Sequence, residues 1–197
     1  MSSDDLKERI RQIALPLVNA HGLVLWGLEL VSSQRPLVRL YIDCHKTQAE
    51  DKVHDEEARV AADLEQCEAI SRDLGLALDV ENIFSGPWQL EVSTPGLSRS
   101  FFALEQMVDY LGDIIEARLF SPLPSGTRGR RTWRGKLTEV TESSFFLEPV
   151  AITEDDQVQM LAEPVVCIPW TSVRKVNRVA LFPRTPKPGK KSVRKNA

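Results

Sequence analysis

Three cysteines and three histidines are all that this 197-residue chain offers to a disulfide, a metal or an imidazole-based site. Cys44, Cys67 and Cys167 are odd in number and widely spaced, which gives neither a disulfide framework nor a zinc knuckle. The pattern suits a reducing cytosol, with three small buried or half-buried side chains. No apolar run reaches the roughly 18 residues that a membrane span needs. Met1-Ser2-Ser3-Asp4-Asp5-Leu6-Lys7-Glu8 lacks the basic region and apolar run of a secretory signal. Catalytic signatures are missing as well: no Gly-x-x-x-x-Gly-Lys-[Ser/Thr], no His-Glu-x-x-His, no Gly-x-Ser-x-Gly and no Cys-x-x-Cys. Pro188-Gly189-Lys190-Lys191-Ser192 faintly echoes a phosphate loop but lacks the upstream glycine and the strand before it. The expectation is a cytoplasmic, non-enzymatic chain with no catalytic residue, cofactor, metal, small-molecule substrate or membrane partner.

What the chain does have is enough apolar material for cores, 42% of its residues, and an uneven charge. Residues 1–100 carry 17 acids and 10 bases; residues 101–182 carry 11 and 9; residues 183–197 carry six bases and no acid. An acidic body argues against coating nucleic acid over the whole surface, and leaves room for a local basic contact.

Periodicity divides the chain. Leu6, Ile10, Ile13, Leu17 and Val18 recur at helical spacing, predicting a helix over about 4–20, kinked near Pro16 and stopped at His21-Gly22. Leu23–Val31 and Pro36–Asp43 read as a hairpin of strands. Residues 45–66 are charged with a weak helical stripe, and Cys67, Ile70, Ser71, Leu74 and Leu78 mark a stronger helix; one long helix or two fits equally. Pro87–Ser93 returns to a period of two. The order helix-strand-strand-helix-strand is a KH-like arrangement, an α+β domain with its helices on one face of a small sheet. Pro95-Gly96 suits the middle of a type II turn, with positive φ at Gly96. Phe101, Phe102, Leu104 and Met107 suggest a short helix beyond it. Strand-sized stretches then follow at 114–120, 132–140, 144–148, 165–169 and 173–179, with a bend at Gly135. Five short strands in about 70 residues suggest a small barrel, because closure removes the open edges. The end, with three prolines and six bases after Phe182, reads as a disordered basic tail.

Candidate site residues are chiefly basic. Arg128, Arg130, Arg131, Arg134 and Lys136 fall within nine residues beside Gly126, Gly129, Gly135 and Trp133. Such a hairpin either presents guanidinium groups to phosphates or serves as a solubilising turn. Trp133 reads as a barrel-core residue rather than a base-stacking one. Arg174, Lys175 and Arg178 lie on an alternating strand that turns some charge outward. Lys190 and Lys191 of the tail would add salt-sensitive affinity near RNA. Glu29, Asp43 and Glu91 could gather in one small sheet, but surface roles suit them better than acid–base work. His54 among Asp55, Glu56 and Glu57 reads as a solvated face, and His21 as a cap at a helix end.

The run Cys67-Glu68-Ala69-Ile70-Ser71-Arg72-Asp73-Leu74, then Leu78-Asp79-Val80-Glu81, then Leu90-Glu91-Val92-Ser93-Thr94-Pro95-Gly96-Leu97-Ser98-Arg99, resembles the RimP ribosome maturation factor family. Gly27–Val31 and Val38–Asp43 look like that family's first two strands, Phe102 to Gly112 like its linker, and Gly135-Lys136-Leu137 with Val165–Pro169 like its second domain. The resemblance spans about residues 5–180. The charged 45–66 stretch, Ser100 in place of proline, Thr94 in place of serine and the basic tail depart from the family pattern. The resemblance implies an N-terminal α/β domain (1–98), a linker with a short helix (99–112), an SH3-like or Sm-like β-barrel (113–182) and the tail (183–197). It also implies binding to the free small (30S) ribosomal subunit and promotion of its assembly without catalysis, touching rRNA and ribosomal proteins; a monomer is expected. Arg99 is the member of the matched segment expected to reach RNA. An RNA- or protein-binding adaptor unrelated to ribosome assembly is the alternative, since small barrels host many functions.

Overall fold

The computed structural model describes residues 3–31, 33–44, 62–123, 129–153 and 156–181. The expectations for 45–61 and for the tail lie outside the described residues. The chain divides into two compact units, residues 1–103 and 104–197, and each is taken by itself.

The first unit runs α1 (Ser3–Ala20), β1 (Leu23–Val31), β2 (Leu37–Cys44), α2 (Leu64–Val80) and β3 (Gln89–Ser93). Ile10, Ala14 and Val18 bury one stripe of α1; Cys67, Ile70, Leu74 and Leu78 bury one stripe of α2. Both stripes join Leu28, Val38, Leu40 and Ile42 in one core, where each fully buried aliphatic side chain contributes about 1.5–3 kcal/mol. Pro16 lies inside α1 on its exposed side, so the carbonyl it deprives of a donor, that of Gln12, faces solvent. The second helix starts at Leu64 because Asp63 caps it: the Asp63 carboxylate accepts from the Gln66 N–H at 2.7 Å, and the Gln66 side chain accepts from the Asp63 N–H at 3.0 Å.

The sheet order is β1-β2-β3, with β1 antiparallel and β3 parallel to β2. The first strand alternates only in part because it carries a bulge. Its register slips between Leu25 and Gly27, so Leu25 on one side and Leu28 and Leu30 on the other all face the core. Trp26 and Gly27 turn to the opposite face. There the chain after β3 doubles back. Gly96 takes a φ of +69°, as its turn requires, and residues 99–102 then lie on the sheet's outer surface. Trp26 Nε1 donates to the Ser100 carbonyl at 2.8 Å, and Phe101 tilts against Trp26 with centroids 6.2 Å apart. Phe102 covers Gly27 and packs on Tyr41 at 5.5 Å. Phe101 and Phe102 therefore precede the expected short helix, which is a 3-10 helix over Leu104–Tyr110.

The second unit holds that 3-10 helix and β4 (Ile114–Leu119), β5 (Thr132–Val140), β6 (Ser144–Ile152), β7 (Val158–Met160), β8 (Val166–Pro169) and β9 (Val173–Arg178). The sheet order is β7-β6-β5-β4-β9, with β8 also paired to β6. The strand β7, additional to the five expected, has no buried residue and so no alternation to read. The strand β6 runs past the expected end at 148, through Pro149, at the changeover from β8 to β7 as its partner. The irregularity expected at Gly135 falls instead between Leu137 and Glu139; Gly135 is needed because a Cβ there would meet the Glu148 carbonyl oxygen at 2.7 Å. Among the described residues no ladder joins β8 to β9, which the 3-10 turn Trp170–Ser172 connects, so hydrogen bonding does not close the sheet. Cys167, expected to be at least half-buried, is exposed on β8.

A Cβ at Gly27 would run into the Phe102 ring. Gly27→Ala is expected to lower the stability of the first unit by about 1–3 kcal/mol in denaturant melts. Adding Phe102→Ala should recover part of that loss; strictly additive effects would refute the packing of ring on glycine.

Candidate functional site

The clean alternation of β5 points Trp133, Gly135 and Leu137 inward and Thr132, Arg134 and Lys136 outward. Its neighbour β4 buries Ile115, Ala117 and Leu119, which leaves Ile114, Glu116 and Arg118 on the outward face. Register then sets the rows. Lys175, Arg118 and Thr132 lie side by side; so do Asn177, Glu116 and Arg134; so do Ile114, Lys136 and Glu148. Four cations thus share one face of β9, β4 and β5.

Glu116 lies on that face yet is only 7% exposed, because two arginines close over it. Arg118 brings Nε and Nη2 to Oε1 at 3.0 and 2.9 Å, and Arg134 brings Nε to Oε2 at 2.6 Å. Burial pushes the Glu116 carboxyl up, but the hydrogen bonds and charges of Arg134 and Arg118 outweigh it and hold the group below its ordinary 4.5. The carboxylate is therefore a fixed negative hub between two positive groups.

The other candidates are spread out. Arg130 stacks over the Trp133 ring at 4.4 Å and meets Glu163 at 3.3 Å, while Trp133 itself is buried, in line with a core role. Arg131 and Arg174 are exposed, as is Lys175. Arg178 sits at the end of β9, 2.7 Å from Asp113 and over the Tyr110 ring at 5.8 Å, which makes it a structural tie. Arg99 belongs to the first unit, where it meets Asp43 at 2.9 Å and covers Trp26 at 4.9 Å. Its side chain is 12% exposed. Arg128, Lys190 and Lys191 lie outside the described residues. Arg118 and Glu116 escaped the sequence reading. Alternation along β4 places them on one face, but their pairing with Arg134 follows from strand register, which periodicity does not contain.

No carboxylate pair forms among the three acids of the first sheet. Glu29 accepts from the Tyr41 hydroxyl at 3.2 Å, Glu91 from Arg39 at 2.6 Å and Asp43 from Arg99. His21 pairs its ring with Asp73 at 3.0 Å rather than with helix-end carbonyls. An open groove between α2 and β3 contains Cys67, Ser71 and Ser93 but no histidine, and burial pushes the Cys67 thiol up, away from the reactive thiolate. No described helix is long and apolar enough to cross a membrane.

Residues 13–98 match the model of the RimP N-terminal domain. A protein of Desulfovibrio desulfuricans named ribosome maturation factor RimP is 39% identical, over 96% of this chain and 86% of its own length. The chain belongs to the RimP family. Proteins of the same name from Lawsonia intracellularis and Nitratidesulfovibrio vulgaris (strain DP4) are 35% and 37% identical, over 92% and 93% of this chain and 91% and 95% of their own lengths. The RimP relatives thus align through both units, whereas the domain model stops within the first.

Two outcomes follow from these geometries. Arg99→Ala leaves the Asp43 carboxylate, 15% exposed, without its guanidinium and should cost roughly 2–3 kcal/mol in denaturant unfolding. Asp43→Asn in that background should cost far less than it does alone, and a coupling near zero would show the pair to be idle. For Glu116 the folded pKa lies below the unfolded one, so its stabilisation is present above the ordinary range and lost as pH falls through the folded value. Thermal melts of the wild type and Glu116→Gln should differ at pH 7 and converge on acidification below about 4.5. A constant difference would contradict the charged hub.

Proposed function

We propose that this chain is a non-catalytic maturation factor of the small ribosomal subunit, acting in the cytoplasm on the free 30S particle through rRNA and ribosomal proteins. The observation that carries the reading is near full-length similarity, up to 39% identity, to proteins named ribosome maturation factor RimP. The outward face of β9, β4 and β5 supplies a matching surface: local positive charge within residues 1–182, which carry more acids than bases. The strand order β8-β6-β5-β4-β9, with its ends linked by a 3-10 turn, supports reading the second unit as an SH3-like barrel followed by a basic tail. In the first unit, Arg99 pins the matched Pro95-Gly96-Leu97 segment against the sheet, so that segment works as architecture.

Sucrose-gradient sedimentation of cell extract tests the reading. The protein should travel with free small subunits at low salt and leave them as salt rises. Migration only at the top of the gradient, even at low salt, would sink it.

A further inference from the structure

The Glu116 triad is more than a way to neutralise a carboxylate. Two arginines on one acid leave a positive surplus, and Lys175 and Lys136 extend it to either side. The Arg118 and Arg134 side chains remain 61% and 47% exposed, while that of Glu116 is 9% exposed. Glu116 takes Arg118 by the Nε and Nη2 edge and Arg134 by Nε. A guanidinium has five N–H donors in a rigid fork, so each group keeps donors for a second acceptor. The two groups sit on adjacent strands as diagonal neighbours, about 7–8 Å apart along the sheet, splayed about the shared carboxylate. Free arginine side chains lose rotamer entropy when they grip a ligand; these two are already held by Glu116, which lowers that cost.

We infer that this face is a preorganised cradle for RNA backbone phosphates, in which Arg118 and Arg134 make the contacts and Glu116 is the positioning residue that aims them. The inference rests on the ribosomal reading above and deepens it, because it assigns the RNA contact to the sheet face rather than to the hairpin around Arg130 and Arg131. Planar, paired donors suit phosphate oxygens, and cations spread across three strands suit a polyanion better than a single carboxylate. The positioning role gives Glu116 an effect opposite in sign to its charge. Removing an acid from a cationic face should strengthen RNA binding if charge alone matters. Here it should weaken it.

The test is a salt titration of the full chain against protein-free small-subunit rRNA, with melting temperatures recorded for every variant. Arg118→Ala with Arg134→Ala should cut affinity at least tenfold and lower the salt slope by roughly 2, about one for each phosphate no longer neutralised. Glu116→Gln should weaken binding several-fold. Glu148→Gln, which removes the same charge from the same face opposite Lys136, should tighten binding or leave it unchanged. Arg134→Lys keeps the charge, loses the fork and should also weaken binding several-fold. Weaker binding by Glu116→Gln without any weakening by Glu148→Gln, at a temperature where both variants are folded, supports the cradle. Equal responses, an unaltered Arg134→Lys, or no salt-dependent binding by the wild type overturns it. Co-sedimentation separates the two levels. If the wild type and the double alanine variant travel equally well with small subunits, the cradle fails and the maturation role stands. If the wild type itself does not travel with them, the maturation reading fails.

Discussion

A sheet that packs on a core by one face leaves its other face to be covered or solvated. Both units of this chain bury one face, and most of their distinctive chemistry lies in what happens to the other. In the first unit the outward surface is covered by the chain itself: Phe102 lies on Gly27, Ser100 accepts from the Trp26 indole, and Arg99 reaches Asp43. In the second unit the outward surface is charged, with Glu116 gripped by Arg118 and Arg134. The same pairing of acid and arginine appears on both faces, but exposure separates the roles. Arg99, at 12%, is used up in holding a turn in place; Arg118, at 61%, keeps donors to spare.

That difference explains why a basic residue count is a poor guide to a binding surface. The cluster at 128–136 stands out because its charges are adjacent in sequence. In the fold Arg130 is spent on Trp133 and Glu163, while Arg134 joins a group assembled from a neighbouring strand. Adjacency along a strand alternates faces, so neighbours in sequence point apart, and neighbours across strands point together.

The helices were legible because their signal is local. Ile10 and Val18 on α1 and Cys67, Ile70, Leu74 and Leu78 on α2 belong to the stripes that periodicity picks out, while Leu6, Ile13 and Leu17 are only partly buried and Ala14 takes a core place that its small side chain did not announce. Three features were not legible, each for a physical reason. The bulge at Trp26 inserts one residue, which breaks alternation without breaking the strand. The three residues of β7 are all exposed and carry no pattern. Glu116 reads as an ordinary outward acid, since its burial comes from side chains folded over it and not from its place in the sheet. The turn at Pro95-Gly96 was recognisable, but its destination was not. A type II turn says that the chain changes direction; only Phe102 against Gly27 says that it turns back over its own sheet.

The buried position of Glu116 also bears on why an acid stands at the centre of a cationic face. Two unpaired arginines side by side would repel each other and swing into solvent, where each keeps its full rotamer freedom. A carboxylate between them removes the repulsion and fixes both forks, while giving up one unit of attraction for a polyanion. The exchange is favourable when the ligand needs donors in set places more than it needs raw charge, which is the situation of phosphate oxygens on a backbone with regular spacing. A purely electrostatic patch would gain from discarding Glu116. The near-complete burial of that side chain, with both of its oxygens engaged at 2.6–3.0 Å, is what a surface built for geometry retains.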